Sequence, residues 1–129
     1  MTTRFQRHYT REEARLMLPQ IEEWLKELEL AKKELERAAP RLESMIDGGC
    51  DLGGGLVSRY LSAFLDMRKV LAEFSDREIL IKDLDRGLID FPAFVAGREV
   101  FLCWERGEED VEHWHELDTG YGGREPIDT

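Results

Sequence analysis

The sequence predicts an α+β fold in which a long antiparallel helical hairpin packs with a small three-stranded antiparallel β-meander and a short C-terminal helix. Three observations predict it. Apolar residues recur at helical spacing over residues 10–77, short runs of branched apolar residues separated by turns begin at residue 78, and 129 residues suit one domain. We therefore expect a single domain over 1–129. The hairpin occupies 10–77, and the meander, short helix and glycine-rich tail occupy 78–129.

The first helix is predicted to begin at a capping box formed by Thr10 and Glu13, in which each side chain satisfies an amide of the other residue. Pro19 and Pro40 fall inside the helical pattern and predict a kink or a break near one or both. The apolar positions alternate steps of three and four, as in a heptad seam. They are Ala14, Met17, Ile21, Trp24, Leu28, Ala31, Leu35, Ala38, Leu42 and Met45.

A glycine-rich turn at 51–55 is expected to connect the first helix, which ends at Gly48 and Gly49, to the second. The turn lacks the preceding strand and the following lysine of a phosphate-binding loop, so it is predicted to be a connector. The second helix is predicted from about residue 56 to 77. Its apolar face consists of Val57, Tyr60, Leu61, Phe64, Leu65, Leu71 and Phe74.

The heptad seam is long for a chain of this size, so another surface must cover it. That surface is either the sheet of the same chain or a second copy, and symmetric self-association is a common solution. We expect self-association through the first helix. The alternative is that the sheet covers the seam within one chain.

The C-terminal half predicts three strands, a short helix and a glycine-rich tail. Pro92 marks an edge or a bulge, because it cannot donate to a strand ladder. Alternation at 4–9 allows one more short edge strand near the N-terminus. The predicted strands are 78–82, 88–95 and 99–104, the turns are 83–87 and 96–98, the helix is 108–117 and the tail is 118–124.

The net charge of −10 lies almost entirely in the second part of the chain. Residues 1–77 carry a net charge of −1 and residues 78–129 a net charge of −9. Nucleic acid is held by clustered Lys and Arg, and the only basic cluster, Arg4, Arg7 and Arg11, is short, so nucleic-acid binding is disfavoured. A cationic or protein partner, a metal ion or a solvated acidic surface stays open. We expect no membrane association and a cytoplasmic location, because no signal core or spanning segment is visible.

Two cysteines, Cys50 and Cys103, lie far apart and show no paired spacing. They predict neither a disulfide framework nor a zinc knuckle. Cys103 falls in an apolar run and is expected to behave as a small buried hydrophobic residue.

The chain contains several long motifs. They are GLIDFPA at 87–93, GREVFLCW at 97–104 and WHELDTGYGGR at 114–124, with TREEARLMLPQIEEWL at 10–25. Together they closely resemble a bacterial family catalogued as domain of unknown function 2203. The resemblance covers nearly the whole chain. It implies a small cytoplasmic bacterial protein with no assigned activity, and it brings no catalytic residues with it.

A metal site is one hypothesis for the short predicted helix. Helical spacing would place Glu109 beside His113 and Glu112 beside His115, and Glu-x-x-His is a known way of presenting metal ligands. The mixture of carboxylate and imidazole suits divalent zinc, manganese or iron. His113 and His115 would face different ways on a helix but share a face on a strand.

Acid/base chemistry is the second site hypothesis. It pairs His115 with Glu108 or Asp90, with Asp83 nearby, and uses Arg124 to hold an anionic substrate. The alternative is that these residues form only structural ion pairs.

The leading functional interpretation is a homo-oligomeric interaction or regulatory protein with an acidic C-terminal surface and no resident cofactor. The alternative is a metal-binding protein or a small acid/base enzyme.

Overall fold

The computed structural model describes residues 2–49 and 54–127. It contains two long helices, five short strands in one antiparallel sheet and a 3₁₀ turn near the C-terminus, so the α+β class is confirmed. Strand order follows the chain from first to last. The elements are α1 (Arg11–Asp47), α2 (Gly55–Asp76), β1 (Leu80–Asp83), β2 (Leu88–Val95), β3 (Arg98–Glu105), β4 (His113–Glu116), the 3₁₀ turn (Tyr121–Gly123) and β5 (Glu125–Pro126).

The chain divides into two compact units. One contains the described residues of 1–22 and 74–129, and the other contains 23–73. The division does not follow the predicted boundary after residue 77, because the first part of α1 belongs to the unit that holds the sheet. Most of the predicted turn at 51–55, with Cys50, lies outside the described residues. Among the residues described, no helix is long and apolar enough to cross a membrane.

The predicted capping box starts α1. The Glu13 amide donates to Thr10 Oγ1 at 3.1 Å, and the Thr10 amide donates to the Glu13 carboxylate at 2.9 Å. The helix then runs for 37 residues through both Pro19 and Pro40, so the predicted break does not occur. Each proline removes one amide donor, and the hydrogen bonds on either side of it keep the helix continuous.

The heptad seam of α1 is largely covered within the chain. Most of its positions are buried, and the others are half-buried. The seam is therefore not the open surface from which we expected self-association, although self-association itself stays a prediction. The buried positions are Ala14, Ile21, Trp24, Leu28, Ala31 and Ala38, and the half-buried ones are Met17, Leu35, Leu42 and Met45.

The apolar face predicted on α2 is wrong in part. Ala63, Val70 and Phe74 are the buried positions, whereas four large apolar residues of the predicted face are exposed. The physical reason is that α2 carries apolar residues on two opposite sides, and spacing alone does not show which side is covered. The four exposed residues are Leu61, Phe64, Leu65 and Leu71.

The N-terminal segment is not the predicted edge strand. Tyr9 donates its amide to the Pro92 carbonyl at 2.7 Å, but the amides of residues 4–7 bind side chains instead of a strand. Glu99 accepts from the Arg4 and Phe5 amides, and Glu78 accepts from the next two. Carboxylates thus satisfy backbone donors that a neighbouring strand would otherwise take.

The helix predicted at 108–117 is wrong, because this stretch contains strand β4. Leu102 lies opposite Trp114 and Cys103 opposite His113, and the ladder with β3 supplies the backbone hydrogen bonds that a helix would have made. β5 then pairs with β4, so the meander has five strands instead of three. Here pairing with a neighbouring strand overrides a helical spacing that extends over only a short stretch of the chain.

The three predicted strands and their hairpin turn are confirmed. Val95 lies opposite Arg98, and Ala96 and Gly97 both have positive φ (52° and 77°), as a tight two-residue hairpin requires. Pro92 lies beyond the part of β2 that pairs with β1, which ends at Asp90. On that side the N-terminal segment covers it, because the Tyr9 amide donates to the Pro92 carbonyl, and among the described residues no strand requires a donor from the proline nitrogen.

Replacing Gly87 by alanine should destabilise the protein by about 1–3 kcal/mol. Gly87 has a φ of 66°, and an added Cβ would lie 2.6 Å from the Arg106 Cβ. Gly97→Ala is the matched control, since Gly97 also has positive φ (77°) but an added Cβ would meet open space. Urea denaturation measures both. Equal losses would mean that backbone conformation alone requires the glycine at residue 87.

Candidate functional site

The candidate site lies on one face of the sheet, where three neighbouring strands each contribute a polar side chain. Asp90 on β2 lies opposite Cys103 on β3, which lies opposite His113 on β4. Residues directly opposite in an antiparallel sheet project to the same face, and so does a residue two positions along a strand. His115 therefore joins this row from the same side. The register brings Asp90, Cys103 and His115 together.

Asp90 and His115 form a buried pair. His115 Nε2 lies 3.0 Å from Asp90 Oδ2, and both residues are 1% exposed. His115 Nδ1 lies 2.7 Å from the carbonyl oxygen of Glu116. A carbonyl only accepts, so Nδ1 carries a proton and donates it. Nε2 of a neutral imidazole would then present a lone pair to the carboxylate. Because His115 Nε2 and Asp90 Oδ2 would both be acceptors 3.0 Å apart, a cation must lie between them, either a proton or a metal ion.

Cys103 completes the cluster. It is fully buried, and its sulfur lies with one Asp90 oxygen and one His115 nitrogen so that all three atoms are within 4.8 Å of one another. Burial, reinforced by the nearby Asp90 carboxylate, raises the pKa of the Cys103 thiol to about 12. The thiol is therefore protonated at neutral pH, and Cys103 lacks the thiolate that a nucleophile needs.

One polar atom of the cluster has no partner. Asp90 Oδ1 is buried, and among the described residues no group donates a hydrogen bond to it. A buried carboxylate oxygen without a donor costs free energy, so such an oxygen calls for a physical explanation. A metal ion bound by the cluster would supply the missing positive charge.

A second cluster adjoins the first through Arg124. Its Nη2 lies 2.9 Å and 2.7 Å from the two Glu108 carboxylate oxygens and 2.7 Å from His113 Nδ1. Its guanidinium lies over the ring of Tyr121 at 4.6 Å, and Arg86 covers the same ring at 4.4 Å. Burial lowers the pKa of Arg124, but the hydrogen bond with Glu108, together with the interactions with Cys103 and Tyr121, outweighs it and raises the pKa overall. Arg124, which we expected to hold an anionic substrate, already forms an ion pair with Glu108.

The residues predicted for acid/base chemistry thus fall into two pairs, Asp90 with His115 and Glu108 with Arg124. The metal set predicted on a helix does not assemble, because the helix does not exist. Glu109 and Glu112 are exposed and lie outside the buried cluster, and His113 contacts Arg124. Asp83 instead accepts a hydrogen bond from the Arg86 amide at 3.1 Å.

Cys103 is the site residue that sequence reasoning missed, because it was taken for a small hydrophobic residue. A signal was present. A two-residue hairpin at Ala96 and Gly97 fixes the register of the two strands, and counting back from that turn pairs Asp90 with Cys103. An acid directly opposite a cysteine, between the apolar residues in the middle of a hairpin, indicates a candidate site.

The comparison with known families gives one match. The family described as "Uncharacterized conserved protein (DUF2203)" matches residues 7–127, which is nearly the whole chain and includes every residue of both clusters. No curated protein and no solved structure matches the chain significantly.

Proposed function

We propose that this chain, a member of the DUF2203 family, is a metal-binding protein that holds a divalent transition metal ion, zinc by preference, in its sheet. Asp90, Cys103 and His115 are the ligands. The observation that carries the proposal is the convergence of an oxygen, a sulfur and a nitrogen ligand within 4.8 Å, all from buried residues. Thiolate and imidazole together favour zinc over magnesium or calcium, which prefer oxygen alone.

The dimensions of the cluster support the proposal. Zinc–ligand distances of 2.0–2.3 Å in a tetrahedral arrangement separate neighbouring ligand atoms by about 3.3–3.6 Å. The 3.0 Å between His115 Nε2 and Asp90 Oδ2 needs to open only slightly to reach that separation. Glu116 already fixes the histidine tautomer through its carbonyl, as the outer partners of metal-binding histidines commonly do.

The burial of the three ligands favours a structural role for the ion. Each ligand residue is at most 1% exposed, so no substrate reaches the cluster without movement of the chain. For the same reason the geometry gives less support to an acid/base enzyme, since a general base must come within hydrogen-bond distance of its substrate.

The proposal predicts that Cys103→Ala weakens zinc binding by at least about a hundredfold. The measurement is a competition titration of metal-free protein with a zinc chelator. Cobalt(II) substitution provides a second signal, because sulfur coordination gives a charge-transfer absorption band. The wild-type protein should bind one equivalent and show the band, and Asp90→Asn should also bind more weakly.

Two control variants separate the cluster from incidental binding. Cys50→Ala removes the other cysteine, and His8→Ala removes a histidine that lies 2.7 Å from the Glu99 carboxylate, outside the buried cluster. Both controls should bind zinc as the wild type does. The proposal is wrong if the metal-free protein binds no zinc, or if Cys103→Ala retains the cobalt band.

A further inference from the structure

We infer that the outer side of α2 pairs, antiparallel, with the same side of α2 in a second copy of the chain. Four large apolar residues lie on this side, and each is between 41% and 59% exposed. They occupy little more than ten consecutive residues of the helix. Exposed apolar side chains gathered in this way often mark an interaction site. The residues are Leu61, Phe64, Leu65 and Leu71.

The spacing of this outer side is that of a coiled coil. Leu61, Phe64, Arg68 and Leu71 follow one another by steps of three, four and three, which are alternating a and d positions of a heptad. The opposite side of α2 already faces α1, because Asp66 and Val70 line a groove between the two helices of the hairpin. The helix therefore has one side covered by its own chain and a heptad seam on the other.

The seam is complementary to itself in one orientation. In an antiparallel pair, an a position faces a d position of the other helix, so Leu61 meets Leu71 of the second copy and Phe64 meets its Arg68. The reverse contacts are the same by symmetry, as a two-fold interface requires. Each guanidinium would lie on an aromatic ring, which is a favourable cation–π contact. A parallel pair would instead bring the two Arg68 side chains face to face, and the like charges would repel.

The size of the seam sets the strength of the pairing. The exposed parts of the four apolar side chains sum to roughly 400 Å² per copy, about half of the 800 Å² that one partner contributes to a standard interface. We therefore infer a weak dimer that dissociates on dilution. The inference is independent of metal binding, because none of the residues of the seam belongs to the buried cluster.

Sedimentation velocity over a hundredfold range of concentration tests the pairing. The wild-type chain should shift from the monomer mass of 15.0 kDa toward twice that value as concentration rises. Phe64→Glu should stay monomeric throughout. The matched control is Leu30→Glu, since Leu30 is 69% exposed on α1, and this variant should behave as the wild type does. A wild-type chain that is monomeric throughout, or a Leu30→Glu variant that dissociates as Phe64→Glu does, would overturn the inference.

Disulfide cross-linking tests the orientation, in a Cys50→Ala background. Leu61→Cys combined with Leu71→Cys should give a covalent dimer under mild oxidation, whereas either substitution alone should not. In the antiparallel pair, two copies of residue 61 lie about 15 Å apart along the helix axis, and a disulfide needs Cα atoms within about 7 Å. A dimer formed by Leu61→Cys alone would show that the helices pair in parallel.

Discussion

Replacing His115 by alanine in metal-free protein should lower the free energy of unfolding by about 3–5 kcal/mol. The pair with Asp90 is almost completely buried, at 1% exposure for each side chain. Removing the imidazole would leave the buried Asp90 carboxylate with only the weakly donating Cys103 thiol as a partner among the described residues, since none of them donates a hydrogen bond to Oδ1. Urea denaturation in the presence of a chelator measures the loss without a contribution from bound metal.

His8→Ala is the matched control for that loss and should cost only about 1 kcal/mol. His8 Nε2 lies 2.7 Å from the Glu99 carboxylate, but this pair reaches solvent. Glu99 would also keep its hydrogen bonds from the amides of Arg4 and Phe5, so no carboxylate is left without donors. The double variant His115→Ala, Asp90→Ala should lose less than the two single losses together, because it removes the unpaired charge. An effect of His115→Ala no larger than that of His8→Ala would contradict the argument.

The stability of the metal-free protein should fall as pH rises above about 9, and Cys103 should be the first cause, with Tyr9 contributing at higher pH because burial raises the pKa of its hydroxyl above 10.0. The thiol pKa is raised from an ordinary value of 9.0 to about 12 in the folded state. Below pH 9 the thiol is protonated in both states, and the full stability is present. Between pH 9 and 12 only the unfolded chain loses the proton, so unfolding becomes easier, by at most about 1.4 kcal/mol per pH unit.

Zinc binding should show the opposite pH dependence, because the metal binds the thiolate and displaces the proton. Affinity should therefore increase with pH, by up to about tenfold per unit, wherever the free thiol is protonated. Chelator competition at several pH values measures how zinc affinity depends on pH. Thermal or urea unfolding at the same pH values measures how the stability of the metal-free protein depends on pH. Cys103→Ala should flatten the stability curve relative to the wild type. Identical curves for the two proteins would rule out the thiol as the titrating group.

Much of the fold could be predicted, because local signals agreed with the final structure. The Thr10 capping box, the tight turn at Ala96 and Gly97 and the branched apolar runs each specify their element without help from distant residues. The stretch at 113–116 was mispredicted because its identity depends on a partner. Trp114 has helical spacing to Val111 and Leu117, yet it lies in a strand that pairs with the edge of β3. The spacing of apolar residues does not show that such a strand edge is available.

The site could be predicted only in part. Asp90 and His115 were chosen for their chemistry, and the structure does pair them. Cys103 was set aside because a cysteine in an apolar run is usually a packing residue. What distinguishes Cys103 is that Asp90 lies directly opposite it on the neighbouring strand. This neighbour can be identified from the sequence only by assigning the register of the hairpin. On α1, most positions of the predicted seam are buried, as are Leu18 and Leu25 outside it, and the surface that covers them depends on packing that the pattern does not contain.

The attachment of the N-terminal segment has a consequence for access to the buried cluster. Residues 4–7 are fastened by two carboxylates and not by a strand ladder, so the segment can lift away without separating any strands. Phe5 packs edge-on against Phe101, whose ring in turn neighbours that of His115 at 5.5 Å. Detaching this segment would remove the Phe5 contact from the Phe101 ring, which Lys82 Nζ also approaches at 5.0 Å from its centroid. We therefore expect the packing around the proposed ligands to loosen first at the beginning of the chain.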